Sequence, residues 1–340
     1  MARCPFWTRR PLRMTIAFSA SNHAAGFVRT DLQILGGMGE IELLPEGHLP
    51  FVWRKVSPVA RASLVYGWFA DLPNLDTGIL CRVLRKPFVL AVGGYELANY
   101  PEFGYGLQRR LGMRLVVRKC FDYATALLFL HRGLLEEASR FHPDARDKMR
   151  VVPAGYDGSF WRSQDGVHRK YVATVIAADS MSRFMIKGGP HVLEVARRFP
   201  DHEFVIVGLW PEVQRRLRSQ PPPNVRMIPR IPADQVRRVL QESTVYLQFS
   251  LREVFPNAVC EAMLCGSIPV VSPLPAMREV VGDAGFVANA SDVASYATAL
   301  EEALGQAELL RDQARQRILT AYPLEKRSSE LRSMLSHLST

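Results

Sequence analysis

The fold of this chain is decided in residues 250–272, SLREVFPNAVCEAMLCGSIPVVS. A strand-like apolar run, VYLQFS at 245–250, enters the stretch, and another, IPVVS at 268–272, leaves it. Between them Pro256 and Asn257 mark a helix start, since proline suits a first helical turn, and Gly266 marks its end. Strand, loop, helix and strand in that order form the crossover unit of a parallel sheet. Glu261 falls about one turn into the helix, where side chains lean toward the N-terminus, so its carboxylate is expected to aim back at the loop carrying Glu253. The helix start at 256–259, with its exposed backbone N–H groups and the positive end of the dipole, is expected to seat a phosphate. Two carboxylates beside an anion seat make sense if they accept hydrogen bonds from hydroxyls on either side of it, the layout of a nucleotide sugar. Taken alone, the two glutamates fit a surface loop and a solvated helix face equally well.

Working outward, the same alternation of apolar runs and helical patterns continues. After residue 160 the strand candidates are YVATVIAA (171–178), EFVIVGL (203–209), VRMIP (225–229), the two runs above and GFVA (285–288). Before it they are MTIAFSA, EIELLP, SLVYGWFA, PFVLAVGG, TALLFLH and MRVVPAG. The polar stretch DGSFWRSQDGVHRK, 157–170, has no apolar period and separates the two series. The expected architecture is α/β, with two Rossmann-like domains whose parallel sheets face each other across a cleft. Residues 1–156 form the first domain and 157–323 the second, and ligands are expected between the carboxyl ends of the strands.

Composition narrows the class. With 340 residues and 48% apolar content there is material for two packed cores. Apolar runs such as TALLFL at 125–130 stop far short of the ~20 residues of a membrane-spanning helix. Residues 1–13 read as a basic leader or an upstream start, with a membrane-surface anchor as the functional alternative. Cys4, Cys81, Cys120, Cys260 and Cys265 are scattered, which suits a reducing compartment and argues against structural zinc. The net charge is +10, and the first half is the more basic: residues 1–160 hold 21 Lys and Arg against 14 Asp and Glu, the rest 22 against 19. In QRRLGMRLVVRKCF, 108–121, Arg109, Arg110, Arg114, Arg118 and Lys119 interleave with apolar residues at helical spacing. A solvated helix packing its apolar side on the core is the plain reading, and contact with anionic lipid head groups the sharper one.

The spacing E-x7-E with F-P-N-A inside it, followed by E-A-M-x-C-G-x-x-P-V-V, resembles the retaining glycosyltransferases of family four, and the resemblance runs from about residue 87 to 338. It implies the GT-B architecture, with the last helix, 324–340, crossing back onto the first domain. It also implies a UDP- or GDP-sugar donor, no metal, which the absence of a D-x-D motif suits, and no further cofactor. IKGG at 186–189 is similar to the family's K-G element, which makes Lys187 a contact of the donor diphosphate. Arg183 is the nearest candidate for the family's second diphosphate cation. Gly208, Arg230 and Ile231 correspond to residues edging the base. Phe255, Pro256, Asn257 and Ala258 line the phosphate seat, Glu261 holds the ribose and Glu253 a sugar hydroxyl. In PFVLAVGGYEL, 87–97, Gly93 stands where the family has a histidine, and Glu96 stands for its aspartate and is a candidate catalytic residue. Gly26 sits where the first strand meets its helix. The implied partners are a glycan or lipid-linked acceptor and, through 108–121, the cytoplasmic face of a membrane, in polysaccharide or lipid-linked glycan assembly. Nucleic acid is not an expected partner. An epimerase of the same architecture and a non-catalytic binder of membrane or nucleic acid are the competing readings.

Overall fold

The computed structural model describes residues 14–21, 25–45, 52–217 and 221–338. The basic leader at 1–13, Cys4 and the middle of SNHAAG lie outside them. Six strands form the first sheet: β1 (Met14–Ala20), β2 (Gly39–Leu43), β3 (Leu64–Trp68), β4 (Phe88–Val92), β5 (Ala126–Phe129) and β6 (Met149–Val151). Six more form the second: β7 (Tyr171–Ala178), β8 (Glu203–Leu209), β9 (Val225–Ile228), β10 (Ser243–Gln248), β11 (Ile268–Val271) and β12 (Phe286–Val287). Every strand expected from the alternation is present. Among the described residues these strands all pair in parallel. Covered by helices, β3 and β4 are buried along their whole length, which is why LVYGW and FVLAV read as continuous runs.

The strand orders are β2-β1-β3-β4-β5-β6 and β12-β11-β10-β7-β8-β9. In each, chain direction across the sheet reverses once, between β1 and β3 in the first and between β7 and β10 in the second. Loops leaving such neighbouring strands diverge to opposite faces and open a crevice at their carboxyl ends. The two crevices face each other.

The chain passes between the sheets at two adjacent points. Tyr156 bridges Pro323, with Tyr156 N donating to Tyr322 O (3.0 Å) and Leu324 N to Tyr156 O (3.1 Å). The last helix, Leu324–Leu338, then returns to the first sheet, where Arg327 binds Asp31 of the helix Gly26–Gly36 (Nε–Oδ1 2.7 Å). Further ties cross the cleft. Arg252 Nη2 reaches both carboxylate oxygens of Glu137 (3.0 and 2.9 Å) and Gly94 O (3.3 Å). His131 Nδ1 accepts from Gly133 N–H, which leaves Nε2 to donate to Glu279 (2.7 Å). Ser182 Oγ donates to Phe103 O.

Candidate functional site

Lys187 and Glu253, 66 residues apart, meet at the second sheet's crevice, with Nζ 2.7 Å from Oε2. The dipeptide Lys187-Gly188 explains how. Gly188 has φ 74°, and a Cβ there would lie 1.9 Å from Phe249 O, so only glycine lets this backbone run against the end of β10. Leu251 N then donates to Ile186 O (2.8 Å), pinning the loop after β10 to the lysine's own helix. Glu253 Oε2 also accepts from Gln248 Nε2 (2.9 Å) and Ser250 Oγ (3.4 Å), and its side chain is 9% exposed. Burial works against the charge on Lys187, but the Glu253 carboxylate outweighs it and raises the ammonium pKa. This ion pair lines a cavity of about 190 Å³ with Tyr95, Tyr105, Arg252 and Asn257.

Glu261 lies in the helix Asn257–Leu264 and lines a neighbouring cavity of about 280 Å³ with Gly26, Tyr156, Asp157, Trp161, Asn257 and Arg327. This space adjoins that of Glu253 through Phe27, Leu130 and Asn257. Burial pushes its carboxyl up to about 8. The expected amide seat at 256–259 is reduced. Proline has no N–H, Asn257 N donates to Phe255 O (2.9 Å) and Val259 N to Pro256 O (3.0 Å), which leaves the amide of Ala258. Phe255 is buried, stacked on Tyr156 at 6.5 Å and edge-on to Tyr322, and it lines the 190 Å³ cavity beside Lys187 and Glu253. Asn257 Oδ1 accepts from Tyr156 OH (2.7 Å).

A third, larger cavity of about 910 Å³ lies between the two crevices. Arg183 and Arg230 line it from the second sheet, together with Trp210. Arg183 is paired with Asp179 (2.9 Å) instead of joining Lys187. Gly208 is buried against Ile176 and Ala177, and Ile231 packs on Val205 and Val207. From the first sheet the cavity receives Gly26 and Glu96. Glu96 is 1% exposed, and its Oε1 accepts from Ala70 N (3.1 Å) and Gly93 N (3.0 Å), tying the ends of β3 and β4 together. Asp157 turns inward on its own chain, accepting from the amides of Ser159 and Phe160.

Sequence reasoning does not single out Phe27, Phe69, Asp71, Tyr95, Tyr105, Trp210 or Arg252, all of which line these cavities. A signal exists for three of them. Trp210 immediately follows a strand end, Arg252 precedes Glu253, and Asp71 begins D-L-P, an N-cap followed by proline. Among the described residues no group of three or more His, Cys, Asp and Glu could hold a metal ion. Cys81, Cys120, Cys260 and Cys265 are free and buried. Among the described residues no helix is long and apolar enough to cross a membrane.

Residues 172–306 match the family "Glycosyl transferases group 1". The chain is 26% identical over 166 residues to a phosphatidylinositol N-acetylglucosaminyltransferase subunit of Arabidopsis thaliana, covering 46% of this chain and 36% of that protein. The Homo sapiens protein of the same name is 29% identical over 165 residues, 46% of this chain and 33% of its own length. The chain thus spans about a third of the length of these curated relatives. Among solved structures, Anabaena Alr3699/HepE in complex with UDP and glucose superposes with a TM-score of 0.76 at 14% identity, covering 95% of this chain and 99% of that one. Sucrose-phosphate synthase from Thermosynechococcus elongatus gives 0.75 at 13% identity over 96% and 99%. At such identities the likeness establishes the fold. The chain has the two-sheet GT-B fold, and over residues 172–306 it is similar to the group 1 glycosyl transferases.

Proposed function

We propose that this protein transfers a sugar from a nucleoside-diphosphate donor to an acceptor hydroxyl with retention at the anomeric carbon. The observation that carries the reading is the Lys187–Glu253 pair, at 2.7 Å, facing the cleft beside the cavity of Glu261. This partly buried ion pair, with its lysine 29% exposed, holds a cation ready for a diphosphate. Lys187 and, once freed from Asp179, Arg183 stabilise the leaving diphosphate; Glu261 accepts from ribose hydroxyls and Glu253 from a sugar hydroxyl. The bond from the anomeric carbon to the phosphate oxygen breaks as the bond to the acceptor oxygen forms, and the acceptor's proton passes to the leaving phosphate. No metal is required. The UDP ligand of the Anabaena structure supports a UDP-sugar donor. The names of the curated relatives support a lipid-linked acceptor. In keeping with that, the helix Leu111–Tyr123 buries only Val117, Cys120 and Phe121 and leaves Leu111 (76% exposed) and Leu115 (64%) among Arg110, Arg114 and Arg118, a surface suited to anionic lipid on the cytoplasmic side.

The test is a thermal-shift panel of UDP, GDP, ADP and their sugars, with and without EDTA, on wild type and Glu261→Ala. Stabilisation by one diphosphate that survives EDTA and is lost in the variant is expected. No shift with any nucleotide overturns the reading in favour of a non-catalytic protein. Flotation with vesicles containing phosphatidylserine, reduced in Leu111→Ser/Leu115→Ser, tests the membrane contact.

A further inference from the structure

After β4 the chain crosses the cleft and comes back before the helix Leu111–Tyr123. The outermost part of this crossing is a hairpin. Tyr100 N donates to Tyr105 O (2.9 Å) and Tyr105 N to Tyr100 O (3.0 Å), with Gly104 at φ 64° turning the tip. Its base is tightly folded. Leu107 N donates to Tyr95 O (3.1 Å) and Gln108 N to Ala98 O (3.1 Å), and a Cβ on Gly106, at φ 100°, would lie 2.0 Å from Ala98 O. The tip rests on the second sheet's side. Ser182, in the helix Met181–Ile186 that ends at Lys187, donates through Oγ to Phe103 O, and the Arg252 guanidinium stands 6.0 Å from the centre of the Tyr100 ring. The hairpin thereby delivers Tyr105, a residue of the first domain, to the 190 Å³ cavity lined by Lys187 and Glu253.

Tyr105 arrives there as a hydrogen-bond donor. Its ring is set edge-on to Tyr95 at 4.8 Å, and its hydroxyl has no hydrogen-bond partner among the described residues. Burial, opposed first by the Lys187 ammonium, holds the phenol pKa above its usual value, so the O–H stays intact at neutral pH. Glu253, Arg183 and Arg252 are further charges that it feels. Lys187, Arg183 and Arg252 against Glu253 favour an anion at that point, and the carboxylate is already met by Lys187, Gln248 and Ser250. The cations are less free than their number suggests. Arg183 is paired with Asp179 and Arg252 with Glu137, whereas Lys187 spends one N–H on Glu253 and keeps two. A neutral O–H beside them gives an anion one more donor without burying another charge.

We infer that Tyr105 is a catalytic residue supplied by the first domain, donating its hydroxyl to the sugar-bearing phosphate of the donor and holding that phosphate's charge as it leaves. The inference rests on the glycosyl-transfer reading, in which Glu253 takes the sugar and Lys187 the phosphate next to it. Its test is calorimetric titration of the full chain with UDP, GDP and ADP and with the corresponding monophosphates, which lack that phosphate. Wild type is compared with Tyr105→Phe, a change that keeps the ring and removes only the hydroxyl. The diphosphate that wild type binds is expected to bind the variant at least about tenfold more weakly, the effect of losing a bond to a charged oxygen, while monophosphate affinity stays unchanged. Equal affinity of wild type and variant for that diphosphate refutes the contact and leaves the glycosyl-transfer reading standing. Equal losses for diphosphate and monophosphate refute it too, since they place the hydroxyl's effect away from the terminal phosphate. If no diphosphate binds wild type, the reading and the inference fall together.

Discussion

Replacing Arg327 by alanine is expected to destabilise the protein by about 3–5 kcal/mol, the usual cost of stranding one partner of a buried ion pair. Asp31 is fully buried and the Arg327 side chain 3% exposed. Two charge-assisted bonds join them, Nε to Oδ1 at 2.7 Å and Nη2 to Oδ2 at 2.8 Å, while Nη1 donates to Val152 O (2.8 Å) and Pro153 O (2.7 Å). Without the guanidinium, the Asp31 carboxylate keeps only Tyr66 OH (2.7 Å) and Trp68 Nε1 (3.0 Å), two neutral donors that cannot balance its charge, and two carbonyls lose a donor. Equilibrium urea denaturation reads the loss. Asp31→Asn/Arg327→Met is expected to recover most of it, because no charge then remains buried and the introduced amide oxygen still accepts from Tyr66 and Trp68. A cost below about 1 kcal/mol for the single change, or a double variant no more stable than Arg327→Ala, refutes the assignment of this pair as the tie between the last helix and the first sheet.

Glu253→Ala should lower turnover on the order of a hundredfold while changing nucleotide affinity little, since the proposed contact is with the reacting sugar; equal losses in kcat and affinity would remove that role. At pH 7 the Glu261 carboxyl, raised to about 8 by burial, is mostly protonated in the free protein. Ribose hydroxyls favour the ionised form, so nucleotide binding should release a proton and tighten as pH rises from 7 toward 8. Calorimetry in buffers of different ionisation enthalpy measures this, and zero release or tightening toward lower pH contradicts it. Gly94 has φ 96° and a Cβ there would lie 2.1 Å from Val254 Cγ2 across the cleft, so Gly94→Ala should hold the two sheets apart. An increased radius of gyration and at least about a tenfold fall in turnover are expected, partly restored by Val254→Ala, and an unchanged radius would count against the close contact.

The alternation of apolar and polar residues is enough to locate the strands of both described sheets and the helix start beside Pro256, because each depends on near neighbours in the chain. What the periodicity could not carry is which distant side chains meet. Lys187 and Glu253 join only because β7 and β10 lie side by side, and Arg327 finds Asp31, 296 positions away, only because the last helix returns to the first sheet. Arg183 turns to Asp179 and Glu96 to the amides of Ala70 and Gly93, both matters of side-chain direction within a packed cleft. Glycine at 93 is the clearest instance. As a letter in the sequence it reads as a missing side chain, whereas in the fold its space holds the ring of Phe69, because van der Waals volume is shared among whatever residues the sheets bring together.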